Sequence, residues 1–263
     1  MSQELEQPKR HKRGWMKLRI SKIIQETHDT RTLFFVDDEE GGRAFDYTAG
    51  QYLTFRFDDL GPKPMARSYT MSSSPCETNH IAVTVKELTK GIVSEYLCRN
   101  AKEGDILRAR GPIGKFCYFR TTDAPHLAMI AAGSGVTPFT SMLREYAPHL
   151  GKEDAPSRMT LLVSYRSTED LINWDTLNEA SKIPGVRVVT TLSREDARDK
   201  GFLLGRINEE ILKNVFTEDL KDTTYMTCGP TEMMNATCKF LRDHHVSNDH
   251  IKVESYESDS KLP

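Results

Sequence analysis

The chain has 263 residues, a formal net charge of −2, and 38% hydrophobic and 28% charged residues, as in ordinary globular proteins. This composition gives no indication of binding to nucleic acid or a membrane, and no apolar run approaches the roughly 20 residues of a membrane-spanning helix. The polar N-terminus also lacks the apolar segment of a secretion signal, so we expect a cytoplasmic protein.

The first predicted segment is a disordered basic tail at residues 1–13, which ends in the sequence KRHKR at positions 9–13. A run of like charges is typical of a solvated segment, and we favour that interpretation. The same charge also suits a docking patch for an acidic protein partner, which the sequence leaves open.

Short apolar runs then predict a β-domain over residues 14–122. Alternating or β-branched apolar residues indicate strands, and segments rich in Gly, Pro and Asp separate them. The predicted strands are 15–24, 31–36, 51–57, 67–72, 81–87 and 105–110, with one helix at 92–98. Six short strands at this spacing predict a six-stranded antiparallel Greek-key barrel.

A different rhythm begins near residue 123, because strand-like runs now alternate with helix-length segments. The predicted strands are 127–131, 159–164, 186–192, 224–227 and 251–255, and the predicted helices are 138–149, 169–182, 207–215 and 231–244. This alternation predicts an α/β domain with a doubly wound parallel sheet over residues 123–256. A short C-terminal tail at 257–263 follows.

The sequence GSGVTP at residues 133–138 lies between the first strand and the first helix of this second domain. Thr137 is predicted to cap the helix and Pro138 to be its first residue. The glycines and the helix N-terminus suit a pyrophosphate, although Pro138 replaces the third glycine of the usual dinucleotide-binding sequence. A tight turn without a ligand explains the string equally well when it is taken alone. Its place at the carboxyl edge of parallel strands favours ligand binding.

The cysteines are widely spaced and contain no Cys-x-x-Cys pair, so we predict no metal site and no iron–sulfur cluster. Four of them are expected to be buried reduced thiols: Cys76, Cys98, Cys117 and Cys238. Cys228 differs, because the sequence CGP at 228–230 again joins a strand to a helix. This strand-end position favours a role in the site.

Two strings in the first domain suit phosphate and ring binding. In RSYT at residues 67–70, alternation places Arg67 and Tyr69 on one face of a strand, where Arg can bind phosphate and Tyr can stack. An ordinary edge strand explains the same string. In GIVS at residues 91–94, a glycine precedes a helix whose N–H groups could hold another part of the phosphate, and a capped surface helix is the alternative.

Together these motifs resemble those of the ferredoxin–NADP(+) reductase superfamily, in particular bacterial reductase modules that supply iron–sulfur partners. The resemblance covers residues 15–256. RSYT resembles the Arg-x-Tyr-Ser/Thr flavin motif and GIVS the flavin pyrophosphate motif, whereas 133–138 and 228–230 resemble the two nicotinamide loops. The sequence ESY at 254–256 resembles the closing Glu-x-aromatic motif, although a tail follows its aromatic residue here.

The resemblance implies roles for individual residues. The expected catalytic residues are Thr70, near the flavin atom N5 that accepts hydride, and Cys228, beside the nicotinamide. Expected flavin-binding residues are Arg67, Ser68, Tyr69, Thr70, Val85, Lys86, Gly91, Ile92, Val93, Ser94 and Tyr256. Expected NAD(P)-binding residues are Gly133, Gly135, Val136, Thr137, Pro138, Arg166, Ser193, Arg194, Cys228, Gly229 and Pro230.

The resemblance further implies an enzyme that moves hydride from NAD(P)H to FAD and then single electrons to a separate iron–sulfur or flavin protein. No metal is expected, and the protein is expected to be a monomer. Ser193 and Arg194 resemble a clamp for a 2′-phosphate, which slightly favours NADPH over NADH. Two alternatives remain, namely the reductase component of a multi-component oxygenase and a regulatory module that binds flavin or nucleotide without turnover.

Overall fold

The computed structural model describes residues 14–216 and 222–256, which form two six-stranded sheets in succession. The predicted tails at 1–13 and 257–263 lie outside the described residues.

The first sheet is the predicted antiparallel barrel. Its strands are β1 Met16–Thr27, β2 Thr30–Asp37, β3 Tyr52–Phe57, β4 Met65–Thr70, β5 Ile81–Lys86 and β6 Ile106–Ile113. The spatial order is β4-β3-β6-β1-β2-β5, and a bridge between Met71 and Val83 joins the two end strands. The strands alternate as the sequence requires, since Leu53, Phe55 and Phe57 of β3 are buried in the barrel core.

One helical segment covers an end of the barrel. It consists of α1 Ile92–Glu95 and a π-helical turn at Tyr96–Asn100, of which Leu97 and Cys98 are buried in the barrel core. The predicted single helix at 92–98 is therefore present, but it widens after its first turn.

The second sheet is entirely parallel. Its strands are β7 His126–Ala132, β8 Arg158–Tyr165, β9 Val186–Leu192, β10 Leu203–Leu204, β11 Thr223–Cys228 and β12 Ile251–Glu254, in the order β10-β9-β8-β7-β11-β12. The strand order reverses between β7 and β11, and ligands bind at such reversals in doubly wound sheets. The sequence did not predict the two-residue strand β10, which is too short for a periodic pattern.

Helices cover both faces of this sheet. They are α2 Thr137–Tyr146, α3 Trp174–Ser181, α4 Glu209–Phe216 and α5 Thr231–Asp243. The first two share a core with Leu127 and Met129 of β7, whereas the last two share a core with Ala128 and Ile130 of the same strand. Alternate residues of β7 therefore face opposite helical layers, which explains its continuous apolar sequence.

Three local predictions are wrong. Thr137 does not cap α2, because a 3₁₀ turn at Gly133–Val136 precedes the helix and places Val136 at the cap, which makes Thr137 the first helical residue and Pro138 the second. The Thr137 hydroxyl instead donates a hydrogen bond to the Ser134 carbonyl at 2.7 Å. The helix predicted at 169–182 begins only at Trp174, after a 3₁₀ turn at Thr168–Asp170.

Cys76 is the third exception, because it is exposed rather than buried. It lies in the loop after β4, where its amide and its thiol both donate to the Glu145 carboxylate of α2, at 3.1 and 3.3 Å. The polar residues of this loop, rather than the apolar character of cysteine, determine its place at the domain boundary. The other four cysteines are buried, and all five are free thiols.

A buried polar cluster joins the two domains on another side. The Asn173 cluster consists of Asn173, just before α3, with Thr140 of α2 and with Glu26, Thr32 and Thr84 of the barrel. The Asn173 amide nitrogen Nδ2 donates to the Thr84 and Thr140 hydroxyls at 3.3 and 3.4 Å, and its backbone N–H donates to Glu26 at 3.1 Å. Thr32 donates to the same Glu26 carboxylate at 2.6 Å. Asn173 has φ of 54°, a left-handed conformation that asparagine tolerates better than most residues.

Candidate functional site

Two loops at the carboxyl ends of β7 and β11 pack directly against each other. A Cβ atom added to Gly135 would lie 2.2 Å from the Cys228 carbonyl oxygen, and one added to Gly229 would lie 3.2 Å from the Ala132 nitrogen. Because both neighbours are backbone atoms, a side chain at Gly135 would force the loops apart. The structure therefore brings the two predicted nicotinamide loops together, as expected for adjacent parallel strands.

The two predicted catalytic residues meet at the boundary between the domains. The Thr70 hydroxyl, at the end of β4, lies 3.2 Å from the Tyr256 hydroxyl, and the fully buried Cys228 thiol forms a hydrogen bond with the same tyrosine. Burial raises the pKa of both Cys228 and Tyr256, which keeps the thiol and the phenol uncharged at neutral pH. Although 46% of Tyr256 is exposed, its hydroxyl points inward between the domains.

Glu254 completes this group, and the sequence did not single it out as a site residue. It is directly opposite Cys228 in the β11–β12 ladder, and burial raises the pKa of its carboxyl to about 7. Its Oε2 atom is buried without a hydrogen-bond partner among the described residues. The nearby Lys252 ammonium instead bonds the Cys117 carbonyl and Asp123, at 2.8 and 2.6 Å. In the sequence, the feature that could have indicated a site residue is the position of this carboxylate at the end of the last predicted strand.

We refer to Thr70, Gly135, Cys228, Glu254 and Tyr256 together as the strand-end site. It combines a hydroxyl from the barrel with a thiol, a carboxyl and a phenol from the second domain. These polar groups are uncharged at moderately acid pH. Burial raises the pKa of the Cys228 thiol and of the Tyr256 phenol far above neutrality, and it raises the pKa of the Glu254 carboxyl to about 7. Such a set can flank an uncharged ring and form hydrogen bonds to its edge.

Arg67 remains available to a ligand on the flavin side. It is exposed, and its Nη1 donates to the Ala66 carbonyl at 2.8 Å, whereas no carboxylate pairs with it in the described part of the chain. Tyr69 packs toward the barrel core, 6.2 Å from the Phe55 ring, and Ser68 faces the opposite side, where its hydroxyl lies 3.0 Å from that of Thr54. An exposed guanidinium with unused donors fits a phosphate group.

The predicted pyrophosphate loop at 91–94 is shaped by its own serine. The Ser94 hydroxyl donates to the Gly91 carbonyl at 3.0 Å and accepts from the Leu88 amide at 3.1 Å. Ser94 and Val93 are buried, whereas Ile92 is exposed. The Ser94 side chain thus stabilises the loop itself, and its predicted contact with a phosphate stays a prediction.

The Lys86 side chain also contacts carboxylates of the protein itself. Its ammonium lies 2.6 Å from Asp29 and 3.9 Å from Asp170, and Val85 before it is buried in the barrel core. His28 joins these two aspartates in a group whose ligand atoms lie within 4.8 Å of one another. The Lys86 ammonium supplies one positive charge against the two carboxylates of this group, and the expected absence of a metal ion stays a prediction.

Two arginines lie side by side at the carboxyl ends of β8 and β9. The backbone amide of Arg194 donates to the Arg166 carbonyl at 2.8 Å, and that of Ser193 donates to Tyr165 at 2.9 Å. Both arginine side chains are exposed. The Glu195 carboxylate fixes the two loops by accepting from the Thr168 amide at 2.7 Å. The structure therefore brings together the three residues that the sequence proposed for a 2′-phosphate.

The described residues fit a flavin and a nicotinamide nucleotide. A Cβ atom added to Gly133, with φ of 54°, would meet no atom within 4 Å, so a ligand can approach this backbone directly. Arg67 offers unpaired donors on the barrel side, and Gly229 and Pro230 continue the strand-end loop on the other. A flavin would therefore lie against β4, and a nicotinamide against the loops after β7 and β11.

The comparisons with known proteins agree with this geometry. Residues 17–118 match the family model of the oxidoreductase FAD-binding domain, and residues 129–239 match that of the oxidoreductase NAD-binding domain. The chain is 32% identical over 247 residues to the glycine betaine monooxygenase reductase subunit of Chromohalobacter salexigens, covering 92% of this chain and 64% of that protein. It is 31% identical to the NADH oxidoreductase HCR of Escherichia coli, covering 83% and 62%.

The structural comparison gives the same fold. The ferredoxin NADP+ reductase of Neisseria gonorrhoeae, solved with bound FAD and NADP, superposes with a TM-score of 0.76 at 23% identity, covering 92% of this chain and 99% of that one. The chain belongs to the ferredoxin–NADP(+) reductase superfamily. It spans less than two thirds of the length of the two relatives named above.

In this member of the ferredoxin–NADP(+) reductase superfamily, the barrel is the FAD-binding domain and the parallel sheet is the NAD-binding domain. The predicted family, two-domain fold and cofactors are thereby confirmed. The domain boundaries at 14–122 and 123–256 and the individual ligand contacts stay predictions. Among residues 14–216 and 222–256, no helix is both long and apolar enough to cross a membrane.

Proposed function

We propose that the protein is an NAD(P)H-dependent flavin reductase that delivers electrons to a separate protein acceptor. The observation that carries the proposal is the contact of Thr70, Tyr256 and Cys228, which joins the flavin domain to the nicotinamide loops at one point. FAD, when bound, accepts a hydride and releases electrons one at a time. The protein has to position the two rings in contact and exclude water, which is a proximity effect.

The residues of the strand-end site suit that task. Cys228 and Gly135 have no exposed polar surface to hold water, since both are buried. The two nicotinamide loops approach each other closely, and the Thr70 hydroxyl can bond a ring nitrogen from the barrel side. Hydride transfer requires no general base, so none of these groups is assigned that role.

An anaerobic titration tests the proposal directly. The flavin-loaded protein is titrated with NADH and NADPH in parallel while its visible spectrum is recorded. We expect the flavin absorbance to bleach at one equivalent of nucleotide. A purified protein that neither holds nor takes up FAD, or whose bound flavin stays oxidised, contradicts the proposal and supports the regulatory alternative.

We also propose NADPH as the preferred donor, because Arg166 and Arg194 lie side by side. The Arg194→Ala substitution should raise the KM for NADPH by about 10- to 100-fold, since a charge-assisted hydrogen bond contributes roughly 1.5–3 kcal/mol. The KM for NADH should change less than about twofold, because NADH lacks the 2′-phosphate. Lys182→Ala, at an exposed cation just after α3, is the control. Equal weakening of both nucleotides would refute this assignment.

Two relatives supply a specific acceptor class. The glycine betaine monooxygenase reductase subunit and the 3-ketosteroid-9-alpha-monooxygenase ferredoxin reductase component of Mycolicibacterium smegmatis, which is 29% identical over 248 residues, are both named as oxygenase reductases. The second proposal is therefore that the acceptor belongs to an oxygenase. Purification of the protein with its bound partners, followed by identification of any iron–sulfur protein, distinguishes it from a general ferredoxin reductase. The monomeric state and the cytoplasmic location stay predictions.

A further inference from the structure

An aromatic and basic surface covers the outer face of the barrel. Trp15 lies between three arginines, whose Cζ atoms are 5.3 Å (Arg110) and 5.9 Å (Arg56 and Arg108) from its ring centroid. We call this surface the Trp15 face. Its residues are Trp15, Lys17, Arg56, Ile106, Arg108 and Arg110.

The strand register explains why these side chains meet. Arg56 of β3 is opposite Arg108 of β6, which is in turn opposite Lys17 of β1. Alternate residues of a strand share a face, so Arg110 and Ile106 lie on the same side as Arg108. Both arginines of β6 and Lys17 are exposed, and Ile106 is 51% exposed.

The charge on this face is strongly unbalanced. Asp58 pairs with this face at 2.7 Å from Arg56 and 3.2 Å from Arg108, and Arg19, which is opposite Ile106 on the same side, pairs with Asp38 at 3.4 Å. Five cations therefore share two acids, although the whole chain has a net charge of −2. Concentration of one sign on one surface attracts partners of the opposite sign and accelerates their association.

The face lies next to the strand-end site. Thr54 of β3 is opposite both Ser68 and Arg110, and two residues along the same strand Tyr52 is opposite Thr70. A step of two residues along a strand is about 7 Å. A molecule seated on the Trp15 face would thus lie beside the end of β4, against which the flavin is proposed to bind.

We propose that the Trp15 face is the docking surface for the acidic electron-acceptor protein. This inference rests on the proposed function, since it presumes that a protein receives the electrons. Trp and Arg are the side chains that dominate protein–protein binding energy, and the exposed Ile106 adds an apolar side chain at one end of the face. A nucleic acid partner would not explain why this surface lies beside the end of β4, where the flavin is proposed to bind.

The test compares protein and small-molecule acceptors. The full-length, flavin-loaded protein is supplied with NADPH or NADH and either an acidic [2Fe–2S] ferredoxin, basic cytochrome c, or the neutral quinone menadione. Ferredoxin binding is measured separately by calorimetry without nucleotide. The variants are Arg108→Glu with Arg110→Glu, and the milder Arg108→Gln with Arg110→Gln. The matched control carries Lys182→Glu, just after α3, and Lys239→Glu on α5.

At low ionic strength the Glu pair should lower kcat/KM for ferredoxin at least about tenfold, and the Gln pair by a smaller factor. Both should leave menadione reduction within about twofold, and raised salt should reduce the difference between the variants and the unmodified protein. Cytochrome c, which is basic, should not be slowed. The lysine control should resemble the unmodified protein.

Other outcomes overturn the inference. One such outcome is equal ferredoxin kinetics for the Glu pair and the lysine control. Another is an unmodified protein that reduces menadione but does not bind ferredoxin. A third is a single-stranded oligonucleotide that protects the Trp15 face while ferredoxin reduction continues. Failure of the proposed function is distinguishable, because the unmodified protein would then reduce neither menadione nor its own flavin.

Discussion

Two regions of the domain interface, the Asn173 cluster and the strand-end site, contain buried polar groups, but those groups differ in how completely they are hydrogen-bonded. In the Asn173 cluster, each member has at least one hydrogen bond to another member, and Asn173 connects Thr140 of α2 with Glu26 of β1 and Thr84 of β5. In the strand-end site, the Glu254 Oε2 atom has no partner among the described residues, and the Thr70–Tyr256 bond is long at 3.2 Å.

This difference indicates that the Asn173 cluster holds the two domains together, whereas the strand-end site acts on a ligand. A fully paired polar network is rigid and specifies one arrangement, whereas an unpaired buried carboxyl costs stability and persists where it has a function. The second domain can therefore be fixed against the barrel through Asn173, while the groups around Cys228 remain available to exchange protein partners for a bound ring.

The largest effect should follow from the Gly135→Ala substitution in the strand-end site. The new Cβ would collide with the Cys228 carbonyl and separate the two nicotinamide loops. Because a displacement of about 1 Å can cost 100-fold in rate, flavin reduction by NAD(P)H should fall at least about 100-fold, measured by anaerobic stopped-flow. Gly61→Ala is the control, since Gly61, like Gly135, lies outside the left-handed region, and its Cβ would come no nearer than 3.3 Å to the end of the flexible Met65 side chain. Similar rates in the two variants would remove the claim that close packing defines this site.

A smaller effect is expected from Asn173→Ala in the other region. The substitution removes side-chain hydrogen bonds to Thr84 and Thr140 and places alanine at a positive φ, so the free energy of unfolding should fall by about 2–4 kcal/mol. In Asn173→Gly the glycine adopts the positive φ without strain, so the free energy of unfolding should fall by less.

Urea unfolding of both variants measures this effect, with the exposed Asn178→Ala on α3 as the matched control. We expect less than about 0.5 kcal/mol for that control. If Asn173→Ala matches it, the cluster does not hold the domains, and the contrast between the two regions disappears.

The smallest effect concerns the pH dependence of stability at Glu254. Its pKa is raised to about 7 in the folded protein from an ordinary value of 4.5, so the folded state holds a proton that the unfolded state releases. The free energy of unfolding should therefore fall as pH rises from about 5 to 7, by about 1–3 kcal/mol, and then stay level. Urea unfolding of Glu254→Gln should lack this decrease. Glu179→Gln, at an exposed position on α3, should retain it; parallel curves for all three proteins would show that Glu254 is solvated.

Much of the fold could be predicted because its signals are local. Alternation in β3 and the continuous apolar sequence of β7 are properties of single strands, and the carboxyl edge of a parallel sheet follows from their order. That edge brought Gly135 and Cys228 together as expected. The predicted place of Thr70 beside the second domain came from the family resemblance, because nothing local in β4 indicates it.

The sequence could not indicate which protein groups its polar side chains contact in the folded chain. Ser94 bonds the Gly91 carbonyl and Lys86 pairs with Asp29, whereas their predicted contacts with a flavin stay predictions. Asn173 gives no periodic signal, because its left-handed backbone and its bonds to Thr84 arise from contacts between distant segments. Glu254 is part of the ESY string that resembles a family motif, but its place opposite Cys228 follows from the β11–β12 register, which the sequence alone does not give.

The exposed position of Cys76 provides a spectroscopic handle on the joint between the domains. It is accessible, the other four thiols are buried, and it is hydrogen-bonded to Glu145 on the opposite domain. A maleimide fluorophore should therefore label the native protein once, without any engineered cysteine. Burial and the Glu145 charge raise the pKa of this thiol, so labelling should accelerate toward alkaline pH. The emission of the attached dye would then report, in real time, whether nucleotide binding loosens or tightens the joint.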